Sequence, residues 1–218
     1  MEQMKPQMAN LRKLKALLEI DRGLEPPPSG YGKLHSSAVI MALTELEDGD
    51  IGVILTKRTE HLKSHPGQIS FPGGKVDKED INFTHTALRE WVEETGEKAE
   101  NLEVLGKYKD IITRTGYHIT PIVAIYHGEG SFNPCPREVD FIFTLKYSDF
   151  LNYPFYSIEG REAYEKHIYY LDHPRGILWG ATAYMLVNFF REYFGFDRKP
   201  IIAEPNLNVP PFFDPKKL

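Results

Sequence analysis

Apolar residues change their spacing several times along the chain, and each change marks an element. Leu11, Leu14, Leu17 and Leu18 recur at helical spacing and predict a helix over Asn10–Asp21, which the stiff segment Glu25-Pro-Pro-Pro-Ser-Gly30 ends. The runs Ser37–Thr44 and Gly52–Thr56 predict strands joined as a hairpin across Glu47-Asp48-Gly49-Asp50. Further strands are expected near Leu102–Ile112, Tyr117–Tyr126 and Val139–Leu145. A long helix from about Pro174 to Tyr193 directs Leu178, Ala181, Met185, Leu186 and Phe189 toward a core. No internal repeat is visible, and the proline-rich tail after Lys199 reads as irregular. Mixed strands with one early and one late helix give a single α/β domain.

The stretch FPGGKVDKEDINFTHTALREWVEETG, Phe71 to Gly96, has a different texture. At about 100° per residue, Glu90, Glu93, Glu94 and Glu97 share one helical stripe, and Ala87, Leu88, Trp91 and Thr95 lie roughly opposite. A run of glutamates on a helix is commonly just a solvated face. Here the acids stand three and four apart, an arrangement that costs about 0.2–0.5 kcal/mol per like-charged pair. Arg89 points away from the stripe, and Lys98 lies beyond the expected stop at Gly96. A divalent cation turns that repulsion into attraction, and clustered carboxylates select hard ions such as Mg²⁺ or Mn²⁺. Gly73 and Gly74, after Pro72, permit positive φ and close backbone approach, so a main-chain carbonyl or a phosphate can reach the same ion. Upstream, Arg58, Lys63 and His65 bring cationic or polar groups to the glycine turn, and Arg suits bidentate capture of phosphate oxygens. Acidic and basic segments side by side suggest a polyphosphate ligand; the plainer alternative is a solubilising loop.

Gly74 to Gly96 resembles the Nudix box, G-x5-E-x7-R-E-U-x-E-E-x-G-U with U aliphatic. Arg89, Glu90, Glu93, Glu94 and Gly96 match. Asp80 stands where the first Glu is expected, the gap from there to Arg89 is one residue longer, and Trp91 and Glu97 fill the U positions. Either Glu79 or Asp80 takes the first glutamate's place. The upstream segment Ile54–Gly74 is similar to L-L-T-x-R-[SA]-x3-R-x3-G-x3-F-P-G-G, which marks the coenzyme A diphosphatase branch: Leu55, Thr56, Arg58, Gly67 and Phe71 to Gly74 are in register, with Ile54, Thr59 and Lys63 as departures. More loosely, Arg114–Ala124, Asn133–Val139 and Ile177–Leu186 resemble the same branch.

The resemblance implies a Nudix-type α/β/α sandwich around a mixed sheet over residues 31–199, with 1–30 as helix and linker and 200–218 as a tail. It implies hydrolysis of coenzyme A or its thioesters to 3′,5′-ADP and 4′-phosphopantetheine, or of another dinucleotide such as NADH or ADP-ribose. A nucleotide-binding regulator without turnover is the alternative from another class. By residue-by-residue correspondence, Glu90 and Glu94 are metal ligands, Glu93 a further ligand or supporting group, and the Gly73 carbonyl completes the site. Arg89 orients the glutamates, and Arg58, Lys63, Gly67 and Gly74 meet substrate. Glu138 is the first candidate for general base. His118 and His65 are others, since imidazole titrates near neutrality.

Composition limits the partners. A net charge of −5 speaks against broad nucleic-acid binding, leaving small-molecule nucleotides. No run reaches the length of a membrane span and no signal peptide is evident, so a cytoplasmic location is expected. Cys135 is alone between Pro134 and Pro136, which excludes an internal disulfide and leaves it without a base to make it a nucleophile. Tyr153, Phe155 and Tyr156 could wall a pocket, although aromatic residues are more often core. A homodimer is an open possibility.

Overall fold

The computed structural model describes residues 34–62, 65–113, 115–159 and 167–202, together with Leu14, Leu17 and Leu18. Those leucines are helical, with Leu14 and Leu18 buried. The remainder of the expected first helix, the proline linker, Lys63, Arg114 and the tail after 202 lie outside the described residues. Within the span expected as one domain, the chain forms two compact units, Met1–Asn152 and Tyr153–Leu218.

The first unit is built on a mixed eight-stranded sheet. Its strands are β1 (His35–Glu45), β2 (Ile51–Arg58), β3 (Ile69–Ser70), β4 (Gly73–Lys75), β5 (Leu102–Lys107), β6 (Ile111–Ile112), β7 (Tyr117–Tyr126) and β8 (Val139–Lys146). The main path runs β3-β2-β1-β7-β5, with β4 on β1, β6 on β7 and β8 on β2. β1 and β7 are parallel; β1 and β2 form the expected hairpin, whose tip is closed by the Leu46 N–H donating to the Asp50 carbonyl at 2.9 Å. The expected strand Leu102–Ile112 is divided into β5 and β6, both paired with β7, and the β5 register itself slips between Val104 and Gly106.

Alternation along β1 decides where helix α1 (Phe83–Thr95) sits. Ala38, Ile40 and Ala42 share one face of the strand, and with Ile54, Ile122 and Ala124 they bury Phe83, Ala87 and Trp91 of the helix. Trp91 is fully buried beside Tyr126 and Phe132, at ring distances of 5.5 and 6.0 Å. After β8 comes one short turn, α2 (Tyr147–Phe150).

The second unit holds β9 (Phe155–Glu159), β10 (His167–His173), β11 (Gly176–Trp179), α3 (Gly180–Phe194) and β12 (Ile201–Ile202), with sheet order β11-β10-β9-β12. The expected long helix begins later than its periodicity suggested. Ile177, Leu178 and Trp179 pair with Asp172, Leu171 and Tyr170 instead, because the turn at Gly176 returns the chain along β10. Met185, Leu186 and Phe189 are buried as expected; Leu178 is buried too, but from a strand. Among the described residues no helix is long and apolar enough to cross a membrane.

Candidate active site

Both ends of α1 are fixed by local chemistry. Asn82 caps the start, its side-chain oxygen accepting the His85 N–H at 2.7 Å. Gly96 ends the helix in the left-handed region at φ 68°, and a Cβ there would collide with the Asn133 carbonyl. The segment after β7 then covers the helix end: Asn133 N–H donates to the Thr95 carbonyl at 2.9 Å and Cys135 N–H to the Glu94 carbonyl at 3.2 Å. These satisfy carbonyls that would otherwise lack partners. The same segment closes on itself when the Glu138 N–H meets the Cys135 carbonyl at 3.0 Å, and the Glu138 carbonyl accepts from Thr59 N–H at 3.0 Å. Glu138 is thus carried to the end of the acidic helix by the proline-rich loop.

The glycine pair is explained by two close approaches. Gly73 lies opposite Val39 in the β1–β4 pairing, where a Cβ would stand 2.6 Å from Val39 Cα. Over Gly74 lies the Glu90 carboxylate, which any Cβ would displace. Gly73 meets the acids through its N–H, which donates to Glu94 Oε2 at 3.2 Å.

The acidic stripe faces inward rather than to solvent. The Glu94 side chain is 3% exposed and Glu90 13%, whereas Glu93 is 57% exposed. Glu97 leaves the group, because Gly96 has already ended the helix. It accepts from the Tyr126 hydroxyl at 2.6 Å, and from Lys98 N–H and Asn101 Nδ2 at 2.9 Å each; these donors hold its carboxyl below the usual range. Arg89, expected to point away, curls back, since its long stem lets one planar fork reach several acceptors. Its Nε and Nη2 donate to Asp80 at 3.1 and 2.9 Å, Nη2 also to the Lys75 carbonyl at 3.0 Å, and Nη1 to Glu90 and Glu93 at 2.9 and 3.2 Å.

Asp80, not Glu79, is therefore the acid that meets Arg89. Its side chain has no exposed surface, while Glu79 is exposed. Asp80 is itself held by the turn that precedes it, where Asp80 N–H meets the Asp77 carbonyl at 3.0 Å and Asp77 N–H meets Asp80 Oδ2 at 2.8 Å. His85 Nδ1 lies 2.9 Å from the other Asp80 oxygen. The Asp80–Arg89 and Asp80–His85 contacts had no signal in helical periodicity; the one clue was an aspartate ahead of a helix cap.

The charges divide sharply. Burial pushes the Asp80 carboxyl up, but Arg89 and the Asp77 N–H outweigh it and hold it well below the ordinary value. Hydrogen bonding to Asp80 raises Arg89 in turn. Glu94 shows the reverse: burial drives its carboxyl up to about 7 against the pull of Arg58 and the Gly73 N–H, with Glu90 and Glu138 adding repulsion. Glu90 is raised by burial too, with repulsion from Glu93 and Glu138 offset in part by Arg89. Glu138 therefore acts electrostatically on both buried glutamates.

Arg58 ends β2 where the pairing with β8 slips between Lys57 and Arg58, and its Nη1 donates to Glu94 Oε1 at 3.3 Å. Gly67 closes the turn before β3 with φ 63°. Of the alternative bases, buried His118 has Nε2 3.2 Å from Asp110, and exposed His65 has Nδ1 3.0 Å from Gln68. Tyr153, Phe155 and Tyr156 belong to the second unit, where Phe155 is buried against Tyr169 and Phe196. Cys135 is a free thiol whose backbone serves the helix cap.

Among the described residues no three His, Cys, Asp or Glu side chains converge as a ready-made metal cluster. The donor set nevertheless fits a hard cation. Glu90 and Glu94 are one turn apart, both are largely buried, and both are raised first by desolvation, with Glu138 repelling each, which is a deficit of positive charge among oxygen ligands.

A mixed sheet, an inward-facing acidic helix and a glycine turn beneath it define a class, and the comparisons give its name. Residues 33–165 match the NUDIX domain family. Nudix hydrolase 15, mitochondrial, of Arabidopsis thaliana is 34% identical over 163 residues, covering 71% of this chain and 57% of that protein. Uncharacterized Nudix hydrolase NudL of Yersinia pestis (strain Pestoides F) is 35% identical over 133 residues, covering 60% of this chain and 67% of that protein. A solved Nudix hydrolase from M. smegmatis, RenU, shares the fold with a TM-score of 0.52 at 16% identity, over 81% of this chain and 96% of that one. The chain belongs to the Nudix family. It spans little more than half the length of the Arabidopsis relative.

Proposed function

We propose that this protein is a divalent-metal-dependent hydrolase that cleaves the diphosphate linkage of coenzyme A or its derivatives, giving 3′,5′-ADP and 4′-phosphopantetheine or its acyl form. The observation that carries the hydrolytic reading is the pair of buried carboxylates, Glu90 and Glu94, one turn apart on α1 above the glycine turn, with Glu138 on the loop that covers the helix end. The choice of substrate rests on the in-register segment Leu55 to Gly74.

Glu90 and Glu94, with Glu93 and the Gly73 carbonyl, would hold a Mg²⁺ or Mn²⁺ ion, which would supply neutralising charge to the diphosphate oxygens and a more acidic water. Glu138 holds the attacking water and takes its proton. Arg89, anchored on Asp80, keeps Glu90 and Glu93 in place. Arg58 and Lys63 meet phosphate oxygens, and the turns at Gly67 and Gly74, where the missing side chains leave room for the Glu60 and Glu90 carboxylates, present their backbone to the substrate. If Glu138 activates water, Glu138→Gln lowers kcat by roughly 100-fold with little change in KM. Full kcat in that variant would move the base elsewhere.

Purified protein with Mg²⁺ or Mn²⁺ is incubated with coenzyme A, NADH, ADP-ribose and dinucleoside polyphosphates, and products are weighed. Release of 3′,5′-ADP is the expected result; turnover of NADH or ADP-ribose alone would overturn the coenzyme A assignment. Lys63 is the observation that favours that second reading, since an ammonium lacks the guanidinium fork found in the branch motif. A cytoplasmic location belongs to the same proposal, and fractionation decides it against the mitochondrial address in the Arabidopsis relative's name.

A further inference from the structure

Both oxygens of the buried Glu94 carboxylate already have donors. Arg58 Nη1 lies 3.3 Å from Glu94 Oε1 and the Gly73 N–H 3.2 Å from Oε2. A cation seeking Glu94 therefore meets a guanidinium in its place. The two arginines that neutralise the acids are held very differently. Arg89 is fastened to Asp80 through two nitrogens and to the Lys75 carbonyl, so it stays whatever happens at Glu90 and Glu93. Arg58 has Glu94 as the one hydrogen-bond partner its side chain finds among the described residues, and its buried Nε has none. It also stands at the register slip between β2 and β8, a kind of irregularity that re-aims a side chain and loosens the ladder around it. Its contact with Glu94 is single and long, where a firm charge-assisted bond is about 2.7–2.9 Å.

We propose that Arg58 is an exchangeable counter-cation: it neutralises Glu94 while no divalent ion is bound, gives up that carboxylate to the ion, and is thereby freed for the substrate's phosphate. The inference rests on the metal-dependent diphosphatase reading. It reconciles the position of Arg58 against Glu94 with a role in holding phosphate, because the Nη1 that meets Glu94 is released toward the substrate once the ion takes that oxygen. Arg58 and the ion compete for the same oxygen, so removing Arg58 strengthens ion binding although it removes no ligand and adds none.

The test is calorimetric titration of Mn²⁺ into substrate-free protein at pH 8.5, where proton competition for the carboxylates is small. Arg58→Ala, or Arg58→Gln where the alanine variant does not fold, should bind Mn²⁺ at least about fivefold more tightly than wild type, the effect of removing one weak charge-assisted competitor. Equal or weaker binding in a folded variant overturns the exchange. Wild-type protein supplies a second measurement that needs no stable variant: the Arg58 Nε–H resonance, assigned by its loss in Arg58→Lys, should move as Mg²⁺ is added without substrate, and a stationary resonance overturns the proposal as well. Glu94→Gln separates the two layers of the argument. If it abolishes Mn²⁺ binding while Arg58→Ala leaves affinity unchanged, the exchange alone fails; if Glu94→Gln binds Mn²⁺ like wild type, the metal site itself has been misassigned.

Discussion

Arg89 meets Asp80 through two nitrogens at 3.1 and 2.9 Å, whereas Arg58 meets Glu94 through one, at 3.3 Å. The first pair ties Asp80, ahead of α1, to Arg89 within it, the second ties Glu94 in the last turn to Arg58 of β2, and both carboxylates are almost wholly buried. Burial is therefore not what separates them. Asp80 has enough donors to stay ionised, while Glu94 has too few and too many acidic neighbours. A completed ion pair fixes the entry of the helix; an incomplete one at its exit leaves a carboxylate held to its arginine by a single long contact. Stability and chemistry are thus assigned to opposite ends of one helix.

Breaking the incomplete pair should have the largest effect. Glu94→Gln removes ligand charge but little volume, and it should lower kcat by roughly 10³- to 10⁴-fold while leaving the circular dichroism spectrum intact. Near-normal turnover would show that Glu94 is no ligand. The complete pair should fail in the other register: Asp80→Ala removes the acceptor that Arg89 meets through two nitrogens and should cost about 1.5–3 kcal/mol in urea unfolding. A loss below about 1 kcal/mol would mean that Arg89 finds other partners and that Asp80 does not anchor the helix.

The pairs should also respond oppositely to pH. Glu94 has its carboxyl raised from 4.5 to about 7, so between those values the folded state holds a proton that the unfolded chain has released, and stability falls as pH rises through the window. Asp80 is depressed from 3.8, so its contribution is complete above that value and is lost only in stronger acid. Metal-free protein should accordingly lose about 2–3 kcal/mol between pH 5 and pH 8, and saturating Mg²⁺ should flatten the slope. A metal-free profile that is already flat would contradict the charge deficit at Glu94. Smallest is the substrate effect. If Arg58 or Lys63 meets the 3′-phosphate, wild type should prefer coenzyme A to dephospho-coenzyme A by about tenfold in kcat/KM, and Arg58→Ala should shrink that ratio. Equal treatment of the two substrates would remove coenzyme A from the proposal.

The helical register of Glu90 and Glu94, the hairpin at 47–50 and the glycine turn could all be read from residues, because each depends on neighbours within a turn or two along the chain. Arg89's reach to Asp80 could not. It spans nine positions and depends on how the preceding turn folds, so a helical projection placed the guanidinium on the wrong side. Glu97 was misplaced for a related reason: the projection continued past Gly96, where the backbone changes hand. Ile177, Leu178 and Trp179 fit either a helix or a strand as a short apolar run, and pairing with β10 decided between them. Strands as short as β3 and β4 carry no period at all.

The loop from Asn133 to Glu138 sets limits on insertion and deletion. Two of its backbone N–H groups are tied to the last carbonyls of α1, and its length then determines where Glu138 arrives. One added residue would advance that carboxylate by up to about 3.3 Å, enough to carry it away from Glu90 and Glu94. The tip around Gly49, with open space where a side chain would stand, can lengthen without consequence for the site. Relatives that vary freely in length at the β1–β2 hairpin should therefore keep a fixed count between the helix cap and the strand that follows Glu138.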